Sequence, residues 1–137
     1  MMHQNPDRQK MRSLLDESKN IAVIGLSDKP YRTSYQVSEA MQKAGYKIIP
    51  VNPEIESTLG ENAYSSLSEV KERIDIINVF RRSEYLPGVA RESLNIDAKG
   101  FWAQQGVYHP DVPEILKKKD MLVIMDNCIK VAHAVLR

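Results

Sequence analysis

Short apolar runs alternate along this chain with longer stretches in which apolar residues recur every three or four positions. The runs fall at residues 21–24, 46–51, 74–80, 99–103 and 121–125, and they are rich in Ile and Val, which suits buried strands. Between them lie helical patterns. Residues 10–18 place Met11, Leu14 and Leu15 on one face, and residues 34–44 do the same with Val37, Ala40, Met41 and Ala44 before Gly45 closes the helix. Ser66-Leu67-Ser68-Glu69 has the spacing of a capping box and predicts a short helix toward Arg73. Residues 85–94 predict a helix that tolerates Pro87 because it sits near the start, and 110–119 and 129–136 predict two more. Residues 54–62 read as a loop broken at Gly60.

Strict alternation of strand and helix, with strands too apolar for a wet face, predicts an α/β fold. It is a Rossmann-like, doubly wound sheet of five parallel strands with helices on both faces. The chain is sized for one domain with one core, expected over residues 10–137, while the polar segment 1–9, with Pro6, is expected to be flexible or to lie on the surface. Sheets of this kind bind ligands beyond the carboxyl ends of the strands, near the point where strand order reverses. The residues to question are therefore 25–33, Asn52-Pro53, Arg81-Arg82, Gln104 to Gly106 and Asp126 to Cys128.

The first of these loops carries the most chemistry. Ile21 to Ile24 run straight into Gly25, and Ser27, Lys29, Arg32, Thr33 and Ser34 follow, with Asp28 as the one acid. A strand, a glycine turn and a capped helix aim free backbone N–H groups at one point, which favours a phosphate. An ordinary strand-to-helix turn fits a single glycine equally well. The five loops together hold Lys29, Arg32, Arg81 and Arg82 against Asp28 and Asp126, so the rim suits several negative charges. A nicotinamide enzyme would place Asp or Glu at the end of the second strand, where this chain has Asn52, and the glycine fingerprint stops at Gly25. NAD is disfavoured on both counts.

Composition narrows the choices further. Nineteen basic and eighteen acidic residues give a formal charge of +1, so no global field exists for nucleic acid or an anionic membrane. No apolar run reaches the roughly 18 to 20 residues of a membrane helix, and a soluble, cytoplasmic protein is expected. Cys128 is the only cysteine, and His3, His109 and His133 are too scattered for a metal site.

AVIGLSDKPYRTSY, YKIIPVNP, IDIINVFRRSE, GFWAQQGV and MDNCIKVAH resemble, in order and spacing, small bacterial CoA-binding proteins that share a fold with the nucleotide-binding domain of succinyl-CoA synthetase. The resemblance implies a domain holding coenzyme A, with the diphosphate at the first loop and the adenosine end near the second and third. It assigns Gly25, Ser27, Lys29 and Arg32 to the diphosphate, Asn52 and Pro53 to the adenosine-side turn, and Phe80, Arg81 and Arg82 to the third-strand segment. By the same analogy Gln104, Gln105 and Gly106 contact the pantetheine arm, although a strand-ending turn that needs Gly106 for its backbone explains them as well. Two positions depart from the family pattern: Asn127 stands where it has Arg, and Ala132 where it has Glu before the histidine.

The expected function is non-catalytic binding of coenzyme A or an acyl-CoA, because the rim offers no nucleophile with a base beside it. Arg32 is expected at the diphosphate and Arg81 or Arg82 near the adenosine, so that dephospho-coenzyme A is expected to bind more weakly than coenzyme A. One alternative is an enzyme using Cys128, at a strand end facing the ligand crevice, with His109 or His133 as base. Another is an NADP-binding oxidoreductase whose arginines take the 2′-phosphate. Phe101 and Trp102, neighbours on the fourth strand, are expected in the core on opposite faces.

Overall fold

Every apolar run expected to be a strand is one. The computed structural model describes residues 3–137. In order it holds α1 (Arg8–Glu17), β1 (Asn20–Ile24), α2 (Thr33–Lys43), β2 (Lys47–Val51), the short β3 (Ser57–Thr58) and β4 (Glu61–Asn62), and β5 (Ile76–Val79). It continues with α3 (Leu86–Ser93), β6 (Gly100–Ala103), α4 (Asp111–Leu116), β7 (Leu122–Ile124) and α5 (Ile129–Leu136). Five strands form one parallel sheet in the order β2-β1-β5-β6-β7. The chain moves outward from β1 to β2 and then returns past β1 to β5, so strand order reverses between β1 and β5.

Side-chain alternation along each strand sends apolar residues to both faces. Ile21, Val23, Ile48, Ile76, Trp102 and Ile124 pack against α1, α2 and α5, while Ala22, Ile24, Ile49, Val79, Phe101 and Ala103 pack against α3 and α4. Phe101 and Trp102 are both fully buried, one on each face. Full burial of one large apolar side chain is worth about 1.5–3 kcal/mol, so these two layers supply the main stabilisation. The Trp102 indole N–H donates to the Asn127 carbonyl at 2.9 Å, which offsets the cost of taking that polar group out of water.

The amino ends of the strands are tied by Asp75, which is 1% exposed. Its Oδ2 accepts from the N–H groups of Lys19 (2.8 Å) and Asn20 (2.9 Å), and its own carbonyl accepts from Lys99 and Gly100. Burial pushes this carboxyl up, but the two backbone donors with Arg73 and Lys99 outweigh it and hold the pKa below the usual value.

Three segments differ from expectation. Residues 54–62 contain the hairpin β3–β4, whose two turn residues, Leu59 and Gly60, have φ of 54° and 79°. A leucine in the left-handed region hides the turn, because such turns are recognised by Asn or Gly there. The capping-box segment makes only a 3-10 turn at Leu67–Glu69, since the Ser66 hydroxyl pairs with the Ser68 and Glu69 side chains and caps no backbone N–H. Helix α4 stops at Leu116, short of the Lys117 to Lys119 run.

Met1 and Met2, at the head of segment 1–9, lie outside the described residues. Further on, His3 Nε2 lies 2.9 Å from the Val123 carbonyl, and Asn5 pairs with both the N–H and the carbonyl of Met125 in the manner of an added strand. Asp7 then caps α1 by accepting from Lys10 N–H.

Candidate functional site

At Gly25, where β1 ends beside β5, the chain turns with φ +83° and the N–H donates to the Val51 carbonyl. A Cβ built there would fall far inside contact with the Phe80 carbonyl oxygen, so the two strand ends approach as closely as backbone allows. The loop that follows is held by its own polar groups. Ser27 N–H donates to Ser34 Oγ, Lys29 N–H to Ser27 Oγ and Arg32 N–H to the Lys29 carbonyl, each at 3.0 Å. From outside, Asn52 Nδ2 donates to the Leu26 carbonyl and Thr58 of the hairpin donates to the Ser27 carbonyl.

That bracing leaves the amino end of α2 open. Arg32 is its N-cap and has no side-chain acceptor with which to cap it, and the N–H groups of Thr33, Ser34 and Tyr35 have no acceptor among the described residues. Free donors and the helix dipole together attract an anion.

Two crevices meet over Gly25. One, of about 420 Å³, lies between Val51 to Glu54, Ser65-Ser66 and the α3 residues Val89 and Glu92. The other, of about 610 Å³, lies between Tyr31 to Ser34, Arg82, Gln104-Gln105 and Val107. Gly25, Phe80 and Arg81 wall both, so the crevices adjoin at the point of strand reversal and are taken together as one path. Arg81 is held in that seam with its guanidinium 4.7 Å from the centroid of the Tyr85 ring. Arg32 and Arg82 both line the second crevice, and Arg82 lies 3.5 Å from Glu84. Gln104 is 7% exposed, yet its Oε1 accepts no hydrogen bond among the described residues. A buried acceptor of this kind costs about 1–3 kcal/mol unless a donor arrives from elsewhere.

Of the residues singled out in the sequence, Gly25, Arg32, Asn52, Pro53, Phe80, Arg81, Arg82 and Gln104 therefore line the path. Asn52 does so as a brace, because its Oδ1 accepts from Glu54 N–H while its Nδ2 holds Leu26. Ser27 and Lys29 line neither crevice. Ser27 is spent on the loop's own shape, and Lys29 Nζ lies 3.9 Å from Asp28. Gly106 is a turn residue, with φ +83° and its N–H donating to Asp126 Oδ1 at 2.7 Å. Arg82 belongs to the Arg32 side of Gly25, which leaves Arg81 alone at the Asn52 side.

Cys128 lines neither crevice. It is the N-cap of α5, half-buried against the α1–α2 side of the core. The reason lies in the turn after β7: Asp126, at φ 54°, reaches back to Gly106, and the chain then passes to the other face. His109 accepts from Asp111 N–H, and His133 sits against Tyr46 and Arg137, so neither pairs with the thiol. Asn127 contributes its backbone carbonyl to Trp102, and Ala132 is buried in the core, so neither departure from the family pattern puts a charge on this site.

Sequence reasoning missed Glu54 and Glu92, and gave no role to Tyr31 within 25–33. Tyr31 is 74% exposed at the mouth of the second crevice. Glu92 sits three positions after Val89 on one helical face, and only the seating of α3 on the sheet brings that face to the crevice. Among the described residues no group of three or more potential metal ligands comes together, and no helix is long and apolar enough to cross a membrane.

Comparison with known proteins bears on the family and the fold. The CoA binding domain family matches residues 19–134. The chain is 60% identical over 132 residues to the uncharacterized protein YneT of Bacillus subtilis (strain 168), covering 96% of this chain and 98% of that one. The structure of cell-free ID.343 from Thermus thermophilus superposes with a TM-score of 0.91 at 34% identity, over 96% of this chain and 100% of that one. A dinucleotide-forming acetyl-coenzyme A synthetase from Ca. Korarchaeum cryptofilum shares the fold at a TM-score of 0.66 and 20% identity, over 77% of this chain and 25% of its own length. The matched segment runs from the residue before β1 into α5 and so takes in every strand end that shapes the path; the chain belongs to the CoA binding domain family.

Proposed function

We propose that this protein is a binding module for coenzyme A or an acyl-CoA, with no catalysis of its own. The diphosphate lies over Gly25 at the open end of α2, within reach of Arg32, and Arg81 covers it from the seam. Adenosine occupies the crevice beside Asn52 and Pro53, and the pantetheine arm occupies the crevice that ends at Gln104. The observation that carries this reading is the path itself: two crevices that adjoin at one glycine, with cations at the joint and beyond it, and a buried acceptor without a donor at one end. A pantetheine amide N–H supplies the donor that Gln104 Oε1 lacks.

An NADP reading fares worse, because the glycine fingerprint of a dinucleotide site stops at Gly25. Thiol catalysis fares worse because Cys128 is off the path. The test is calorimetric titration with coenzyme A of the parent and of Arg32→Ala. One charge-assisted hydrogen bond is worth about 1.5–3 kcal/mol, so the substitution weakens binding roughly ten- to a hundred-fold with the fold intact. Saturable binding of NADP in place of coenzyme A, or equal affinities for parent and variant, overturns the assignment.

A further inference from the structure

On the footing that the first crevice takes the adenosine, we infer that it selects against a phosphate on the ribose, so dephospho-coenzyme A binds at least as tightly as coenzyme A. The charges are divided unevenly along the path. Arg32 and Arg82 wall only the second crevice. The first holds the carboxylates of Glu54 and Glu92, neither of them in an ion pair among the described residues, against the single guanidinium of Arg81. Arg81 is shared with the second crevice and engaged with the Tyr85 ring, so it does not add a free cation to the ribose end.

The position of Glu54 gives the carboxylate a purpose. Sheets of this class that bind dinucleotides place an acid just beyond the second strand, where it accepts hydrogen bonds from ribose hydroxyls. This chain has Asn52 at the first such place and spends it on Leu26 and on Glu54 N–H. That bond fixes the turn and leaves Glu54, next after Pro53, on the crevice wall. Glu92 comes to the same wall from α3. Two acceptors without competing donors suit a nucleoside with free hydroxyls. A phosphate dianion on the same ribose would face both carboxylates and has to turn out to water. The orphaned Gln104 acceptor at the other end of the path independently marks the path as a ligand site, with its contacts made to the pantetheine side.

The experiment is a pair of calorimetric titrations, coenzyme A and dephospho-coenzyme A, on the parent and on the double substitution Glu54→Gln with Glu92→Gln. Both acids are exposed and outside the core, so the fold survives the change. In the parent, dephospho-coenzyme A binds at least as tightly. In the variant the ratio of affinities moves toward coenzyme A by about three- to ten-fold, the size expected for removing two exposed, screened like charges. A ratio unchanged by the double substitution, or coenzyme A the tighter ligand in the parent, overturns the inference while leaving the coenzyme A assignment standing. Failure of both compounds to bind overturns the assignment and the inference together.

Discussion

Replacing Gly25 by alanine tests whether the joint between the crevices is set by backbone contact. Two costs arise. With φ at +83° an L side chain pays about 1–2 kcal/mol for the left-handed backbone. The added Cβ also meets the Phe80 carbonyl, with its carbon at 3.2 Å and Arg81 Cδ at 3.3 Å, so the end of β5 has to retreat. Overpacking of that kind costs about 1–3 kcal/mol, for a total of roughly 2–5 kcal/mol, a large share of a typical domain's 5–15. Gly106 is the matched control, because it has the same φ of +83° and nothing within 4 Å of an added Cβ. Gly106→Ala should lose only the backbone part, about 1–2 kcal/mol. Urea denaturation followed by circular dichroism gives both losses, and calorimetry should show that Gly25→Ala also loses coenzyme A binding because its crevices no longer meet. Equal losses of stability for the two variants would refute the argument, since the Phe80 contact would then carry no energy.

Gln104→Met keeps the volume but removes the buried acceptor; stability without ligand should hold or rise by up to about 1 kcal/mol while coenzyme A affinity falls about five- to ten-fold, and a clear loss of stability would mean the carboxamide has a structural partner. Asp75 should govern the acid side of the stability curve. Its folded-state pKa lies below the unfolded value, so its contribution is complete above the unfolded pKa of about 3.9 and is lost as pH falls through the folded value. Denaturation midpoints measured from pH 7 to pH 2.5 should fall steeply for the parent, and less steeply for Asp75→Asn from a lower starting point.

Much of this architecture was legible because burial on two faces leaves an unmistakable trace: all five apolar runs became strands, with ends shifted by a residue or two. The rule that such sheets bind beyond the carboxyl ends of their strands points to Gly25, Arg32, Asn52, Arg81 and Gln104, and each lines the path. What failed were statements that depend on which way a turn sends the chain. Cys128 is next to a strand end in sequence, but Asp126 adopts a left-handed conformation and carries it to the far face. The hairpin at Leu59 was invisible because a leucine accepted a conformation usually left to glycine or asparagine. Glu92 could be placed on the wall only once α3 was seated on the sheet.

The hairpin also bears on whether this glycine turn is portable. Thr58 holds the Ser27 carbonyl, the Leu59 carbonyl accepts from Gln42 of α2, and Asn52 at the head of the same segment holds Leu26. The glycine loop is thus suspended from the connection that leaves β2 as well as from the strand and helix it joins. A graft carrying residues 21–45 alone into another parallel sheet would transplant the motif without its scaffolding, and its donors would have to be ordered anew by each ligand. The transferable unit runs to Asn62, and shortening the hairpin should weaken binding at a distance from any group that touches the ligand.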